Sequence, residues 1–159
     1  MEERLSESAL KVQKALEPFG MGLKVVELMG STRTSREAAK AVGCDVGQIA
    51  KSLVFKGARS GKAVLVIASG ANRVNEQRLG ELAAEPVEKG DAEFVRERTG
   101  FAIGGVPPVG HAMALEIYID EDLMKYGEIW AAAGTPHAVF KLTPADLAKI
   151  TRGKVVKTA

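Results

Sequence analysis

Lys51-Ser52-Leu53-Val54-Phe55-Lys56, the turn segment Gly57 to Gly61, and Lys62-Ala63-Val64-Leu65-Val66-Ile67-Ala68 decide the fold. Two runs of β-branched and large apolar residues flank a segment that begins and ends in glycine. That pattern predicts an antiparallel hairpin. In an extended strand, alternate side chains share a face, so Lys51 stands in line with Leu53 and Phe55.

Upstream of the hairpin, Leu5, Ala9, Val12, Leu16 and Phe19 recur at helical spacing, with Gly20 placed to end the helix. Lys24 to Leu28 reads as a short strand and Gly30 to Arg33 as a loop. Thr34 with Glu37 forms a capping-box pattern, opening a helix that Gly43 closes. Asp45 caps one further turn through Ile49. Downstream, Asn75 to Ala84 reads as a helix stopped by Pro86, and Asp91 caps a helix over 92–98 that ends before Gly100. Phe101 to Ile103 is a short apolar run. Leu115 to Ile119, Ile129 to Ala133 and Ala138 to Leu142 read as strands, with one helical turn near Asp122. Thr143-Pro144 opens the last helix, and Val155-Val156 is a strand that would close the sheet. Helices and strands intermingle without a strict βαβ rhythm. The expectation is a mixed α/β fold, one domain over residues 1–159, its central mixed sheet flanked by helices.

Composition agrees. A chain of 159 residues with 46% apolar and 26% charged residues is long enough to bury its own core and too apolar for disorder. A net charge of +2 permits contact with a phosphate backbone without demanding it. The single cysteine, Cys44, forms no intrachain disulfide and fits a reducing compartment. The start, Met1-Glu2-Glu3-Arg4, lacks the apolar core of a signal peptide, and no apolar stretch has the length of a membrane span. A cytoplasmic setting is expected, with neither membrane nor DNA as partner.

Three features carry chemistry. Lys51 either snorkels at a strand end or faces a pocket as a partly desolvated cation, able to hold a phosphate or steady an oxyanion. Gly104-Gly105-Val106-Pro107-Pro108-Val109-Gly110 is either a rigid turn or a stiffened loop presenting backbone N–H groups to a ligand. It has neither the Gly-Lys-Ser/Thr ending of a P-loop nor the helix of a dinucleotide fingerprint. Gly134-Thr135-Pro136-His137 reads as a hairpin connection in which Gly134 lines a cavity wall or His137 serves as an acid–base group; a simple exposed turn is the plainer account of His137, and likewise of His111. Arg33, Arg36, Lys56, Arg59 and Lys62 are solvated surface or phosphate contacts. Two histidines and one cysteine, far apart, have no metal-ligand spacing, so neither metal nor cofactor is expected. Cys44 and the serines lack the setting of a nucleophile. Asp120, Glu121 and Asp122 read as a helix start.

Three segments, Gln48 to Val54, Thr99 to Gly110 and Ala133 to His137, resemble in order and spacing the YbaK and prolyl-tRNA-synthetase-associated domain family. The resemblance covers nearly the whole chain. It implies a compact fold around a mixed, partly barrel-like sheet. It also implies hydrolysis of misacylated tRNA, in many members tRNA(Pro) carrying Cys, Ala or another small amino acid. Lys51 matches the family's essential lysine, Gly104 and Pro108 its Gly-x-x-x-Pro loop, and Gly134 its later pocket glycine. On that footing Lys51, Gly104 and Gly105 are the expected catalytic residues, and Ser52, Pro107, Pro108, Gly134 and His137 the expected substrate contacts. The expected partner is the 3′-terminal adenosine end of an aminoacyl-tRNA, with prolyl-tRNA synthetase as a candidate associate. In the Cys-specific bacterial type the later glycine pair is followed by Lys-Arg-Gly-Leu-Asp; here Thr135-Pro136-His137-Ala138-Val139 follows Gly134, without that acid. A non-catalytic tRNA- or nucleotide-binding module of the same fold and a hydrolase of another small acyl ester are the alternatives.

Overall fold

The hairpin anchors the sheet. A computed structural model describes residues 5–159; the acidic start over 1–4 lies outside the described residues. Strand β2 (Ile49–Gly57) pairs antiparallel with β3 (Ala63–Ser69), with Lys51 opposite Ala68 and Phe55 opposite Val64. β2 runs past the expected 51–56 at both ends because its ladder with β3 continues to Ala50 and the neighbouring strands extend it further.

Around this pair lie β1 (Val25–Glu27), β5 (Glu116–Asp120), β6 (Ile129–Ala132), β7 (Ala138–Leu142) and β8 (Lys154–Val156), in the order β1-β7-β6-β2-β3-β5-β8. β2–β6, β3–β5 and β5–β8 are parallel and the remaining neighbours antiparallel, so the sheet is mixed. It stays open: β1 and β8 are its edges, and Val155-Val156 extend it without closing it. One short strand was not legible in the sequence: β4 (Val87–Lys89), which pairs with Phe55–Gly57 of β2.

Local chemistry sets the helix ends. Helix α1 (Glu7–Leu16) buries Ala9, Val12 and Leu16 and is capped by Ser6. Phe19 drops out of the expected stripe: it belongs to a 3-10 turn that Gly20 ends in the left-handed region, and is 41% exposed. Helix α2 (Ser35–Val42) starts with Thr34 Oγ1 accepting the Glu37 N–H and ends at left-handed Gly43. Helix α3 (Glu76–Ala83), capped by Asn75, stops at left-handed Ala84, one turn residue before the proline expected to end it. Helices α4 (Ala92–Thr99) and α5 (Pro144–Thr151) take their caps from Asp91 and Thr143 as expected. In the 101–103 run only Phe101 is buried; Ile103 is 57% exposed.

The two faces of the sheet have separate cores. Ala50, Val54, Leu65 and Ile67 pack with α1, α5, Phe101 and Val106 on one side. Phe55, Val64, Val66 and Ala68 pack with Leu79 and Ala83 of α3 on the other, with Leu53 against them. Among the described residues no helix is long and apolar enough to cross a membrane.

Candidate active site

Strand β2 is shared unequally. β3 covers one of its edges from Ala50 to Lys56. The other edge is divided: β6 pairs only with Ile49 and Ala50, and β4 only with Phe55 to Gly57. Gly57 N–H donates to Lys62 C=O (2.9 Å), so odd-numbered residues turn their backbone polar groups toward β3. Even-numbered ones face the divided edge, where Val54 C=O accepts the Gly90 N–H (2.9 Å). The N–H and C=O of Ser52 therefore point into the gap between the two ladders.

A hollow of about 950 Å³ opens at this gap, near the top of the usual range for ligand pockets. Lys51, Ser52 and Gly104 all border it. So do Thr32 and Arg33 of the loop before α2, Asn72 and Arg73 of the turn after β3, and Lys89 of β4. Arg33, Lys51, Arg73 and Lys89 outnumber the single carboxylate, Glu76, in this lining. None of the four forms an ion pair among the described residues. The hollow is cationic and suited to an anionic or electron-rich ligand.

Lys51 is half-buried and held from behind. Its Nζ donates to the backbone carbonyl oxygen of Asn72 (2.7 Å). The Asn72 turn is fixed in place by a carboxylate: Asp120, 1% exposed, accepts from Ser69 N–H (3.0 Å) and Asn72 Nδ2 (2.9 Å). Asp122 accepts from the same Asn72 amide (2.7 Å), and its own N–H is held by Asp120 (2.9 Å). Ser69 Oγ donates to Gly47 C=O (2.7 Å), and Gly70, where a Cβ would meet Val46 O and Ser35, tightens the turn further. Burial lowers the Lys51 pKa below its ordinary value; the like charges of Arg73 and Lys89 lower it too, and Asp120 opposes them. The lysine is thus a cation with one proton engaged by Asn72 and two directed elsewhere.

The glycine-rich loop divides between site and scaffold. Gly104 has φ +92°, and a Cβ there would lie 3.0 Å from Arg33 Cγ. Among the described residues its N–H has no partner. Gly105 differs: its N–H donates to Ala102 C=O (3.0 Å) and its C=O accepts from Gly134 N–H (2.8 Å). It cannot be the second free donor expected from the sequence. Gly134 does not border the hollow; it packs so closely that a Cβ would meet the Ser8 backbone oxygen at 2.7 Å and the Phe101 ring at 3.2 Å. Pro107 and Pro108 are buried behind the lining. His137 is exposed, its Nδ1 bonded to Gly30 C=O (3.1 Å), also outside the hollow. His111 Nε2 bonds Pro107 C=O (2.7 Å); burial lowers its pKa, so the neutral ring donates and pins the loop.

Of the surface cations weighed from sequence, Arg33 alone borders the hollow. Lys56 lies over the Phe94 ring, and Lys62 bonds Ala83 C=O and Glu116. Sequence reasoning missed Thr32, Asn72, Arg73, Lys89 and Asp120. The hairpin held a signal for two of them: with Lys51 opposite Ala68, residues just beyond β3 must pass beside Lys51.

Comparison with known proteins places this geometry. Residues 30–150 match the family model described as the aminoacyl-tRNA editing domain. The protein belongs to that family. It is 30% identical over 131 residues to YwhH of Bacillus subtilis (strain 168), an uncharacterised protein, a match spanning 82% of this sequence and 83% of YwhH. It is 26% identical over 122 residues to EbsC of Enterococcus faecalis, named as a proposed Cys-tRNA(Pro)/Cys-tRNA(Cys) deacylase, a match spanning 76% and 74%. A solved structure described as a proposed trans-editing enzyme for prolyl tRNA synthetase is 54% identical, with 98% of both proteins aligned and a TM-score of 0.92. It is also 36% identical over 91 residues to a proline–tRNA ligase of Bacillus licheniformis, a match spanning 57% of this sequence and 16% of the ligase.

Proposed function

We propose that this protein is a trans-acting aminoacyl-tRNA deacylase, hydrolysing the ester between a small wrong amino acid and the terminal adenosine of tRNA. The first candidates are Cys or Ala on tRNA(Pro). One observation carries the reading: Lys51 and Gly104, whose N–H has no partner among the described residues, border the same cationic hollow. The names given to EbsC and to the 54% identical structure support it.

In this reading the substrate ester lies between Lys51 and the 104 loop. Water attacks the ester carbon, and the ammonium of Lys51 with the Gly104 N–H steadies the oxyanion. The bond to the ribose oxygen breaks, the proton from water passes to that oxygen, and the free amino acid leaves with a regenerated terminal hydroxyl. An ester needs no nucleophilic triad. Arg33, Arg73 and Lys89 hold phosphates of the acceptor end. Ser52 contacts the aminoacyl group. Gly105, Pro107, Pro108 and Gly134 act by shaping the loop, and His137 falls away from the chemistry. We extend the deacylase unit to residues 1–159, place it in the cytoplasm beside translation, and take prolyl-tRNA synthetase as its associate; the ligase match supports that last step.

The test is Lys51→Ala and Lys51→Arg on a panel of misacylated tRNAs, scored for release of amino acid. Losing one oxyanion contact costs about 100- to 1,000-fold in rate, and Arg, bulkier and planar, rescues poorly. Unchanged release by Lys51→Ala overturns the mechanism. Binding of tRNA without release from any member of the panel favours the non-catalytic module instead.

A further inference from the structure

Trp130 is the only tryptophan of the sequence. It borders the hollow and is half-buried. The other aromatic residue of that lining, Phe55, is 1% exposed and packs into the core beneath α3. Trp130 is therefore the aromatic ring that a ligand in the hollow can meet.

The sheet sets its direction. Trp130 of β6 pairs in register with Ile49 of β2, so it shares a face with Ile49 and, by alternation, with Lys51. Lys89 of β4 pairs with Phe55 and stands on that face too. Along β2 these residues follow one another: Trp130 level with Ile49, then Lys51, then Lys89 level with Phe55. Strand spacing puts the backbones of Trp130 and Lys51 about 8 Å apart, and those of Lys51 and Lys89 about 14 Å apart.

The ring is held from its far side. Lys141 of β7 pairs with Trp130 and brings Nζ to 5.9 Å from the ring centroid, approaching from the strand opposite β2. Ala38 and Val42 of α2 pack with Ile49 and Trp130, and both border the hollow together with Ala132. An aliphatic residue would satisfy α2 equally well without presenting a π face. The hollow thus has an apolar, aromatic end at Trp130, a cation at Lys51 and a second cation beyond it at Lys89. That order suits a flat uncharged ring joined to an ester and to phosphate.

We propose that Trp130 is a nucleobase platform, on which the base beside the scissile ester stacks while the ester lies at Lys51. The inference rests on the deacylase reading, which brings a terminal adenosine to the hollow. One ribose joins that base to its ester, and two side chains rising from the same face about 8 Å apart match a ligand of that span. Stacking needs only a π face, so the platform holds the base without reading its edges. The ring touches no reacting atom, and its contribution is uniform binding: removing it raises KM and changes kcat little.

A single tryptophan makes the test direct. Adenosine 5′-monophosphate is expected to quench the fluorescence of Trp130 saturably, whereas ribose 5-phosphate, which lacks a base, leaves it unchanged. Calorimetry then gives the affinity of both probes in the wild type, Trp130→Ala and Trp130→Phe. The preference for the nucleotide over the sugar phosphate is expected to fall about 10-fold or more in Trp130→Ala and to survive in Trp130→Phe, which keeps a ring against α2. Damage to the fold would weaken both probes together and leave that preference intact, so an unchanged preference in Trp130→Ala overturns the proposal. On misacylated tRNA, Trp130→Ala is expected to raise KM by a similar factor; a fall in kcat with KM unchanged overturns it as well. Release of amino acid by a wild type whose fluorescence the nucleotide does not quench sinks the platform alone. Saturable quenching without release from any misacylated tRNA sinks the deacylase reading and leaves Trp130 as the platform of a nucleotide-binding module.

Discussion

Asp120→Asn tests whether Lys51 is held in place from two residues away. The carboxylate is buried and accepts three hydrogen bonds, from Ser69 N–H, Asn72 Nδ2 and the Asp122 N–H. Asparagine is isosteric but has one acceptor oxygen. If that oxygen serves Ser69 and Asn72, which share Oδ2, the new amide NH2 is set against the Asp122 N–H, donor against donor. One bond is lost to a buried unsatisfied group and two lose their charge assistance. That sums to about 2–4 kcal/mol. For a domain of this size it lowers Tm by roughly 5–15 °C.

Activity follows the turn. The Asn72 C=O that orients Lys51 Nζ belongs to the segment Asp120 ties down. Asp120→Asn is expected to lower kcat at least about 10-fold, the scale of misplacing a group by a fraction of an ångström, with KM changing less. Asp122→Asn is the control: Asp122 touches the same amide but is more exposed, and its loss leaves the Ser69 contact intact. Differential scanning calorimetry and single-turnover deacylation at a temperature where both variants are folded read the two effects separately. An Asp120→Asn protein with wild-type Tm and wild-type kcat refutes this positioning role.

Arg73→Gln removes a like charge that holds the Lys51 pKa down, so the alkaline limb of the pH–rate profile should move to higher pH; Lys89 still lowers that pKa and Asp120 still raises it, and a limb that stays or moves down counts against Lys51 titrating there. His111 has its pKa held below 6.5 by burial, so the unfolded chain takes up the proton first; stability is expected to fall as pH drops from 7 through 6.5 toward the depressed value, and Tm against pH should lose that slope in His111→Gln. Gly104→Ala places a Cβ against Arg33 at a left-handed φ and should cost about 1–2 kcal/mol by urea denaturation, whereas Gly127→Ala, with nothing within 4 Å of the added carbon, should be nearly neutral.

The elements whose formation is local were readable. The hairpin carried its own alternation and turn, and Ser, Thr, Asn and Asp caps sat beside the helices they open, as Thr34, Asn75, Asp91 and Thr143 do. What failed to show was set by distant partners. Val87-Glu88-Lys89 has no strand pattern of its own; it is extended because β2 has an uncovered edge there. Gly104 and Gly105 are neighbours of one residue type, yet among the described residues the Gly104 N–H has no partner and that of Gly105 is taken up by Ala102. Two adjacent glycines do not say which of them closes the turn on Ala102; the Gly134 N–H, donating to the Gly105 C=O from across the fold, holds that register. Gly134 itself is a glycine because the backbone at Ser8 of α1 presses on it, a contact between opposite ends of the sequence.

The hollow has the same origin. Lysine at position 51 and serine at 52 would be ordinary in a fully paired strand. They become a site because β6 stops after Ala50 and β4 pairs only from Phe55 on, leaving the Ser52 backbone groups outside both ladders on that edge. Both stops have local causes. On the side toward Ser52, β4 gives a last bond from Gly90 N–H to Val54 C=O and then ends, because Asp91 caps helix α4 directly after it. β6 leads into the turn at Gly134, which the Gly105 bond pulls toward the loop. Chemistry at Lys51 therefore depends on two short strands remaining short, and a change that lengthened either one toward Ser52 would fill the gap with backbone and leave the lysine facing protein.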